Sequence, residues 1–195
     1  MNRLIGCSCT LLILPFITAQ AASPGPTGQF RFNEHSEVSY HLVHMLHKVR
    51  GSTRKLQGVA TLNAGRLVTP LALEVPLISF RSGNANRDNN AAATLEVGRF
   101  PKASLSVTQF DENYRQTKPD GSINVRGMAR GNWNLHGISQ ATTLPIEANW
   151  TPQGLTVDTT FNISLTAFGI PRPSLLFKPV EDDVAVTVHA VAAPM

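Results

Sequence analysis

The sequence predicts an all-β fold with one or two short helices, and three observations support this prediction. Along 155–163 the odd-numbered residues are mainly apolar and the even-numbered residues are polar, which is typical of an antiparallel strand with one buried face. Turn-forming segments such as Pro119-Asp120-Gly121 separate runs of this kind. A helical period is confined to about 41–48 and 90–97. We therefore expect short helices only where they cover loops or an open end of the fold.

Strand signals recur along the chain after its amino-terminal segment. In order, they lie at 29–32, 38–40, 58–62, 71–76, 103–110, 122–135, 143–150, 155–163 and 184–191. Most are short and bounded by turn residues, as at Pro152-Gln153-Gly154. No internal repeat divides them, so we predict a single domain over 30–195, preceded by a proline- and glycine-rich flexible leader over 22–29.

The segment 1–21 has the pattern of a secretory signal peptide. Arg3 supplies a small positive region, 4–17 form an apolar run, and Ala19-Gln20-Ala21 supplies a small-x-small cleavage site. The apolar run is shorter than the roughly 20 residues that span a bilayer. Cleavage after Ala21 would remove both cysteines, Cys7 and Cys9. We therefore expect the mature chain to have no disulfide, cysteine nucleophile or thiolate metal site.

Charge and motif content argue against a nucleic-acid partner and against an enzyme. The formal net charge is +4, and lysines and arginines are scattered without the interleaved aromatic residues that stacking on bases requires. The chain has no Gly-x-Ser-x-Gly motif, phosphate loop or dinucleotide fingerprint. We therefore predict no nucleic-acid binding, no catalytic residues and no cofactor.

A compact polar cluster interrupts the strand pattern between 79 and 101. Gly83 and Asn84 permit a turn with positive φ, and Arg87 and Asp88 place opposite charges beside it. A polar cluster next to apolar strands indicates the rim of a pocket. The alternative is that Arg87 and Asp88 only fix the loop through charge-assisted hydrogen bonds.

Several motifs occur in a characteristic order along the chain. They are EHSEVSY at 34–40, RG at 50–51, SGN at 82–84, RD at 87–88, RFP at 99–101, GNWNLHGI at 131–138, and FNI and AFGI within 161–170. In this order and spacing, over about 30–192, they resemble the YceI-like family of polyisoprenoid-binding periplasmic proteins. The resemblance implies an extended, eight-stranded antiparallel barrel, similar to lipocalins, whose apolar interior holds an isoprenoid tail.

The resemblance also implies a ligand and a site. The ligand would be an isoprenoid quinone or a polyprenyl phosphate, bound in the periplasm. By alternation and resemblance together, we expect the tail pocket to consist of Phe80, Leu105, Val107, Trp133, Leu135, Phe161, Ile163 and Phe168. The headgroup would meet a rim of Asn84, Arg87 and Asp88, where the Arg87 guanidinium suits a diphosphate oxyanion. Ordinary core packing is the alternative for each pocket residue.

Two departures from the family pattern concern polar residues. Family members commonly carry an arginine and an aspartate before Phe-Gly-Ile, where this chain has Leu165 and Ala167, so an ion pair is expected to be missing. The opening segment has three histidines, His41, His44 and His47, where one is expected. Histidines spaced by three lie near one face of a helix but alternate on a strand. As a cluster they could bind zinc or copper.

These observations favour a periplasmic protein that holds or carries an isoprenoid lipid. One alternative is a metal-binding protein or enzyme built on the three histidines. Another is an envelope stress or structural protein whose barrel is filled by side chains and holds no lipid. Transient membrane contact and a homodimer are compatible with the sequence, although no dimer seam can be read from it. His35 and His136 are expected to hydrogen-bond neighbouring turns.

Overall fold

The computed structural model describes residues 25–44, 47–151, 153–175 and 178–195. The predicted signal peptide at 1–21 and the first part of the leader lie outside these residues. The strands are β1 Gly28–Phe32, β2 Glu37–His44, β3 His47–Thr53, β4 Gln57–Asn63, β5 Arg66–Val68, β6 Leu71–Pro76, β7 Lys102–Thr117, β8 Ile123–Leu135, β9 Ile138–Thr151, β10 Gly154–Ser164, β11 Ser174–Leu175, β12 Lys178–Pro179 and β13 Asp183–Pro194. One α-helix, α1, covers Ala85–Thr94, and short 3₁₀ turns lie at Leu77–Ser79 and Thr166–Phe168.

Eight strands close into an antiparallel barrel. Hydrogen bonding follows the order β1, β4, β6, β7, β8, β9, β10 and β13, and β13 returns to pair with β1. The hairpin of β2 and β3 continues this wall, because β2 pairs with β13 beyond the end of β1. The eight-stranded antiparallel barrel predicted from the sequence is thus confirmed. Closure removes the unpaired edges that an open sheet would expose.

β1 and β2 both pair with β13, one after the other along its length, and the pairing is interrupted between them. Ser36 lies in this gap and its side chain is fully buried. Its hydroxyl accepts from the Val191 N–H at 2.9 Å and donates to the Val191 carbonyl at 3.1 Å. The Ser36 hydroxyl therefore supplies a hydrogen-bond partner for the backbone N–H of Val191, which the interrupted strand pairing would leave without one.

The wall has a short pairing between β4 and β6 at one end of the barrel. β4 pairs with β6 over two residues, and β3 contacts the next connection through a bridge between Ser52 and Arg81. The hydroxyls of Thr53 and Ser79 lie 2.7 Å apart across the same junction. The connection 77–101 contains α1, so the polar cluster predicted from the sequence lies at this end.

The helices differ from their predicted positions. α1 begins five residues before the predicted stretch at 90–97, because the Asn84 side chain caps it by accepting from the Arg87 N–H. The second predicted helix, at 41–48, is wrong, since β2 continues to His44 and β3 begins at His47. Pairing of β2 with β13 overrides a weak local helical period there. Among the described residues, no helix has both the length and the apolar character needed to cross a membrane.

Large side chains fill the opposite end of the barrel, which carries the β7–β8 and β9–β10 turns. Trp150 lies opposite Ile123 on β8 and Leu155 on β10. All three side chains are buried, and Val125 beside them has no exposed surface. This end therefore forms a packed floor, while the short β4–β6 pairing lies at the other end.

Candidate functional site: an apolar cavity inside the barrel

The barrel encloses an apolar cavity of about 110 Å³. Side chains of all eight barrel strands line it, because alternation along each strand turns one set of residues to the interior. Of the described lining residues, Glu74 alone is ionisable, and its carboxylate pairs with Lys102 Nζ at 2.6 Å. The interior therefore suits apolar groups and offers no cation to an anionic one.

Half of the predicted tail-pocket residues line this cavity and half do not. Those that line it are Leu105, Val107, Trp133 and Phe161. Of the others, Leu135 and Phe168 are buried in the core, and Phe80 and Ile163 pack against it. Leu135 ends β8 and Phe168 lies in a 3₁₀ turn, so both lie near the end of the barrel that carries the β8–β9 turn. Contact of any of the eight with a ligand stays a prediction.

Many residues of the cavity wall were not among the predicted pocket residues. The even-numbered residues of β9 from Leu144 to Trp150 all line the cavity, and their strict alternation was a usable signal. Leu56 and Leu67 also line it. Leu56 lies in the connection between β3 and β4, and Leu67 lies in the three-residue strand β5. Segments this short are too short to show an alternation of apolar and polar residues.

The three predicted rim residues lie together at the start of α1, around Ser82. Arg87 donates from Nε to Ser82 Oγ at 2.9 Å and from a terminal nitrogen to the Ser82 carbonyl at 2.7 Å. Asp88 accepts from the Ser82 N–H at 2.9 Å and from its hydroxyl. These hydrogen bonds, above all that from the Ser82 hydroxyl, hold the pKa of Asp88 below its usual value. The polar groups of Arg87 and Asp88 are thus hydrogen-bonded within the cluster, and these bonds fix the loop.

Tyr40 connects this cluster to the barrel wall. Its ring packs on Phe80 with centroids 5.6 Å apart and lies over the backbone of Gly51, where a Cβ would meet the ring at 2.5 Å. Burial, followed by the nearby Asp88 carboxylate, raises the pKa of the Tyr40 hydroxyl. Gly51 is therefore required by the close approach of the ring.

Asp182 fixes the turn that contains Phe-Gly-Ile. The family resemblance led us to expect an aspartate just before that motif instead. Leu165 is buried, and the Asp182 carboxylate accepts from the Thr166 N–H and hydroxyl, both at 2.9 Å, and from the Ser164 hydroxyl. The Ser164 hydrogen bond is the main reason that the pKa of Asp182 lies below its usual value. Asp182 lies far along the chain from the turn, so local sequence reasoning missed it.

His136 has a structural role at the same end of the barrel. Its Nδ1 lies 3.1 Å from the Phe168 carbonyl, as expected for a hydrogen bond to a neighbouring turn. Its ring packs against Phe100 at 4.6 Å between centroids, and its Nε2 lies 3.6 Å from Glu96. The side chain therefore joins the β8–β9 turn to the segments on both sides of it.

The three histidines of the opening segment lie on the β2–β3 hairpin rather than on a helix. His44 and His47 are cross-strand partners, and His41 lies opposite Arg50. The side chains of His44 and His47 lie outside the described part of the structure. Among the side chains that are described, no group of three histidines, cysteines or acids could hold a metal ion.

Comparison with known proteins agrees with this architecture. The family model of the YceI-like domain matches residues 32–192. BcnA of Burkholderia cenocepacia superimposes with a TM-score of 0.64 at 18% identity, over 82% of this chain and 97% of that one. A polyisoprenoid-binding domain from Saccharophagus degradans gives 0.66 at 10%, over 87% and 100%. The YceI protein of Campylobacter jejuni gives 0.61 at 15%, over 78% and 88%. No curated protein sequence matches the chain.

Proposed function

Because the chain belongs to the YceI-like domain family, we propose that it holds and carries an isoprenoid lipid in its barrel and that it is not an enzyme. The observation that carries this proposal is the cavity, which lies inside a closed barrel and is lined almost entirely by apolar side chains. A solved relative of the same fold is described as polyisoprenoid-binding. The ligand is an isoprenoid quinone or a polyprenyl phosphate.

The size of the cavity sets what it can hold without rearrangement. A dry protein cavity of about 150 Å³ accommodates one benzene molecule, and this cavity measures about 110 Å³. It is therefore smaller than a site for one benzene ring and can take no more than about one five-carbon isoprene unit as it stands, so a longer tail requires lining side chains to move apart. Burial of about ten tail carbons would contribute roughly 8 kcal/mol before ordering costs, which corresponds to micromolar binding.

We infer that the protein works in the periplasm, where an isoprenoid tail needs shielding from water. The signal-peptide pattern at 1–21 supports export. Two connections at one end of the barrel carry exposed basic residues, Arg54 and Lys55 between β3 and β4 and Arg81 and Arg87 between β6 and β7, and Ile78 in the second connection is 58% exposed. Such a surface suits contact with anionic lipid headgroups. Vesicles with anionic lipid should therefore bind the protein, and neutral vesicles should not.

The experiment that tests the carrier proposal is native mass spectrometry of the mature protein purified from its own periplasm. Organic extraction then identifies what is released. A stoichiometric prenyl lipid would support the proposal and name the headgroup. A bare polypeptide that also takes up neither quinone nor polyprenyl phosphate would contradict it and favour a structural role. A bound metal would favour the histidine alternative, which calorimetric titration with zinc checks separately.

A further inference from the structure

The barrel wall is unpaired along part of the junction between β9 and β10. Pairing of these strands begins at the turn that joins them and ends at Glu147 and Asp158, although both strands continue. Within the described residues, no backbone hydrogen bond joins 138–146 of β9 to 159–164 of β10. We call this stretch the β9–β10 seam. The same parts of β9 and β10 stay paired with β8 and β13 on their other sides.

Pro145 explains why the pairing ends. The register of β8 and β9 runs through Pro145 without a shift, so its nitrogen faces β10. Proline has no N–H to donate, and within sheets it is confined mainly to unpaired edges. Hydrogen-bonded pairs alternate along an antiparallel ladder, so the next one after Glu147 and Asp158 would join Pro145 to Thr160. That pair cannot form, and the ladder stops.

The cavity lies directly behind the seam. Four residues of the seam line the cavity: Leu144, Ile146, Thr159 and Phe161. The Thr159 hydroxyl is buried and has no hydrogen-bond partner in the described part of the chain. A buried hydroxyl without a partner is unfavourable, and water would reach this one if the seam opened. Opening at the seam would therefore connect the cavity to solvent and relieve an unfavourable feature of the closed wall.

Two side-chain contacts close the seam, and we call them the gate. Gln140 on β9 donates from Nε2 to the Ala167 carbonyl in the turn after β10. Trp133 packs edge-on against Phe161 with ring centroids 5.6 Å apart.

Other junctions of the wall resist opening more strongly. β8 pairs with β9 over its whole length, and each ladder hydrogen bond that must break would slow opening by about 3- to 10-fold. The pairing of β4 with β6 is short, but β5 pairs with the next part of β4 and covers it. The seam is therefore where the wall opens with the smallest loss of hydrogen bonds.

We propose that the β9–β10 seam is the route by which a lipid tail enters and leaves the cavity, and that the gate controls its passage. The inference rests on the proposed carrier function and adds a route to it. A cavity of about 110 Å³ takes about one isoprene unit, so the wall must move to admit a longer tail. At the seam this movement breaks no ladder hydrogen bond.

Cross-linking across the seam tests this route. Both cysteines of the chain lie within 1–21, so introduced cysteines would be the only ones in the mature protein. Thr143→Cys and Asn162→Cys place exposed thiols on the two sides of the seam, since continuation of the register puts these residues opposite each other. The control pair is Asn132→Cys with Ala141→Cys, at exposed cross-strand partners on β8 and β9. Bis-maleimides of several lengths cross-link each pair.

The probe is geranyl-benzoquinone, whose ten-carbon tail exceeds the cavity. Stopped-flow quenching of the two tryptophans, which both line the cavity, measures its entry and release. Cross-linking at the seam should slow entry by about 10-fold or more, and cross-linking after loading should slow release likewise, whereas the control pair should change neither rate by more than about twofold.

The outcomes separate the two proposals. Unchanged rates in the protein cross-linked at the seam would overturn the inference and leave the carrier proposal standing. A wild-type protein that takes up no probe at equilibrium would overturn the carrier proposal and, with it, the route.

Two single substitutions should act on the gate and the seam in opposite directions. Gln140→Ala removes the hydrogen bond to Ala167 and should speed entry and release alike by about 3- to 10-fold. Its dissociation constant should stay within about twofold of the wild type, because Gln140 lies outside the cavity lining. Gln109→Ala is the control, since that amide bonds to Asp111 on β7. Pro145→Val supplies the missing N–H, so both rates should fall. Altered affinities with unchanged rates would overturn the inference.

Discussion

Replacement of Ala129 by leucine tests whether the ligand occupies the barrel. Ala129 lies on β8, is 5% exposed and lines the cavity. The substitution adds three carbon atoms to a void of about 110 Å³. Since one six-carbon benzene fits a cavity of about 150 Å³, three carbons occupy a large share of this space.

The expected magnitudes follow from this volume. Burial of three carbons contributes about 2.4 kcal/mol to stability at about 0.8 per methylene, and overpacking costs about 1–3 kcal/mol, so the free energy of unfolding should change by about 1 kcal/mol or less. The same three carbons displace an equivalent part of the ligand tail. Ligand affinity should therefore fall by about 2.4 kcal/mol, or about 50-fold.

Fluorescence titration with a prenyl quinone measures this affinity, because both tryptophans of the chain line the cavity and a quinone bound there would quench them. Denaturant unfolding measures the stability of the same samples. Ala141→Leu is the matched control, since Ala141 is exposed on β9 and lies outside the cavity lining, and its affinity should stay within about twofold of the wild type. A folded Ala129→Leu protein that binds the quinone with wild-type affinity would refute binding inside the barrel.

Other substitutions test the contacts that build the barrel. Ser36→Ala should lower the free energy of unfolding by about 1–3 kcal/mol, since a buried N–H of β13 loses its partner; an unchanged denaturation midpoint would contradict this assignment. Gly131→Ala places a Cβ 1.9 Å from the Ser106 carbonyl oxygen and should lower stability by about 1–3 kcal/mol or more, whereas Gly98→Ala, with open space around it, should not. Asp182→Asn should lower the melting temperature at pH 7. Because the folded-state pKa of Asp182 lies below its ordinary value of 3.8, the stability that its carboxylate contributes is present above that value and disappears as the pH falls through the folded-state pKa. Thermal scans from pH 7 to pH 2 should therefore show the melting temperatures of the wild type and of Asp182→Asn converging. A difference in melting temperature that persists at the lowest pH would argue for a packing effect.

Local sequence signals predicted some parts of the cavity and not others. Alternation along long strands identifies their inward faces, and Leu105 and Val107 on β7, predicted from alternation and resemblance together, line the cavity. Leu135, which ends β8, and Phe168, which lies in a 3₁₀ turn, are buried but lie outside the cavity lining. Whether an inward residue meets a void or another side chain depends on what faces it across the barrel, which alternation along one strand does not report.

The polar cluster shows a similar limit of local reasoning. The segment containing Asn84, Arg87 and Asp88 was predicted as a loop with a helix-compatible run beside it, and these residues do come together at the start of α1. Their common partner, Ser82, was part of the motif but had no assigned role. The Ser82 N–H and hydroxyl bond to Asp88, and the Ser82 carbonyl and hydroxyl bond to Arg87. These hydrogen bonds favour the interpretation that Arg87 and Asp88 fix the loop, which the sequence left open.

The sequence by itself determined the all-β class and the inward faces of the long strands, because side-chain alternation is a local consequence of strand geometry. Through the order of its motifs it also determined the family. The tertiary structure alone decided that 41–44 and 47–48 lie on the paired strands β2 and β3, that Asp182 fixes a turn distant in sequence, and that Trp133, Trp150 and Thr159 line one void. These features depend on strand pairing and on contacts between residues far apart in the chain, which no local pattern contains.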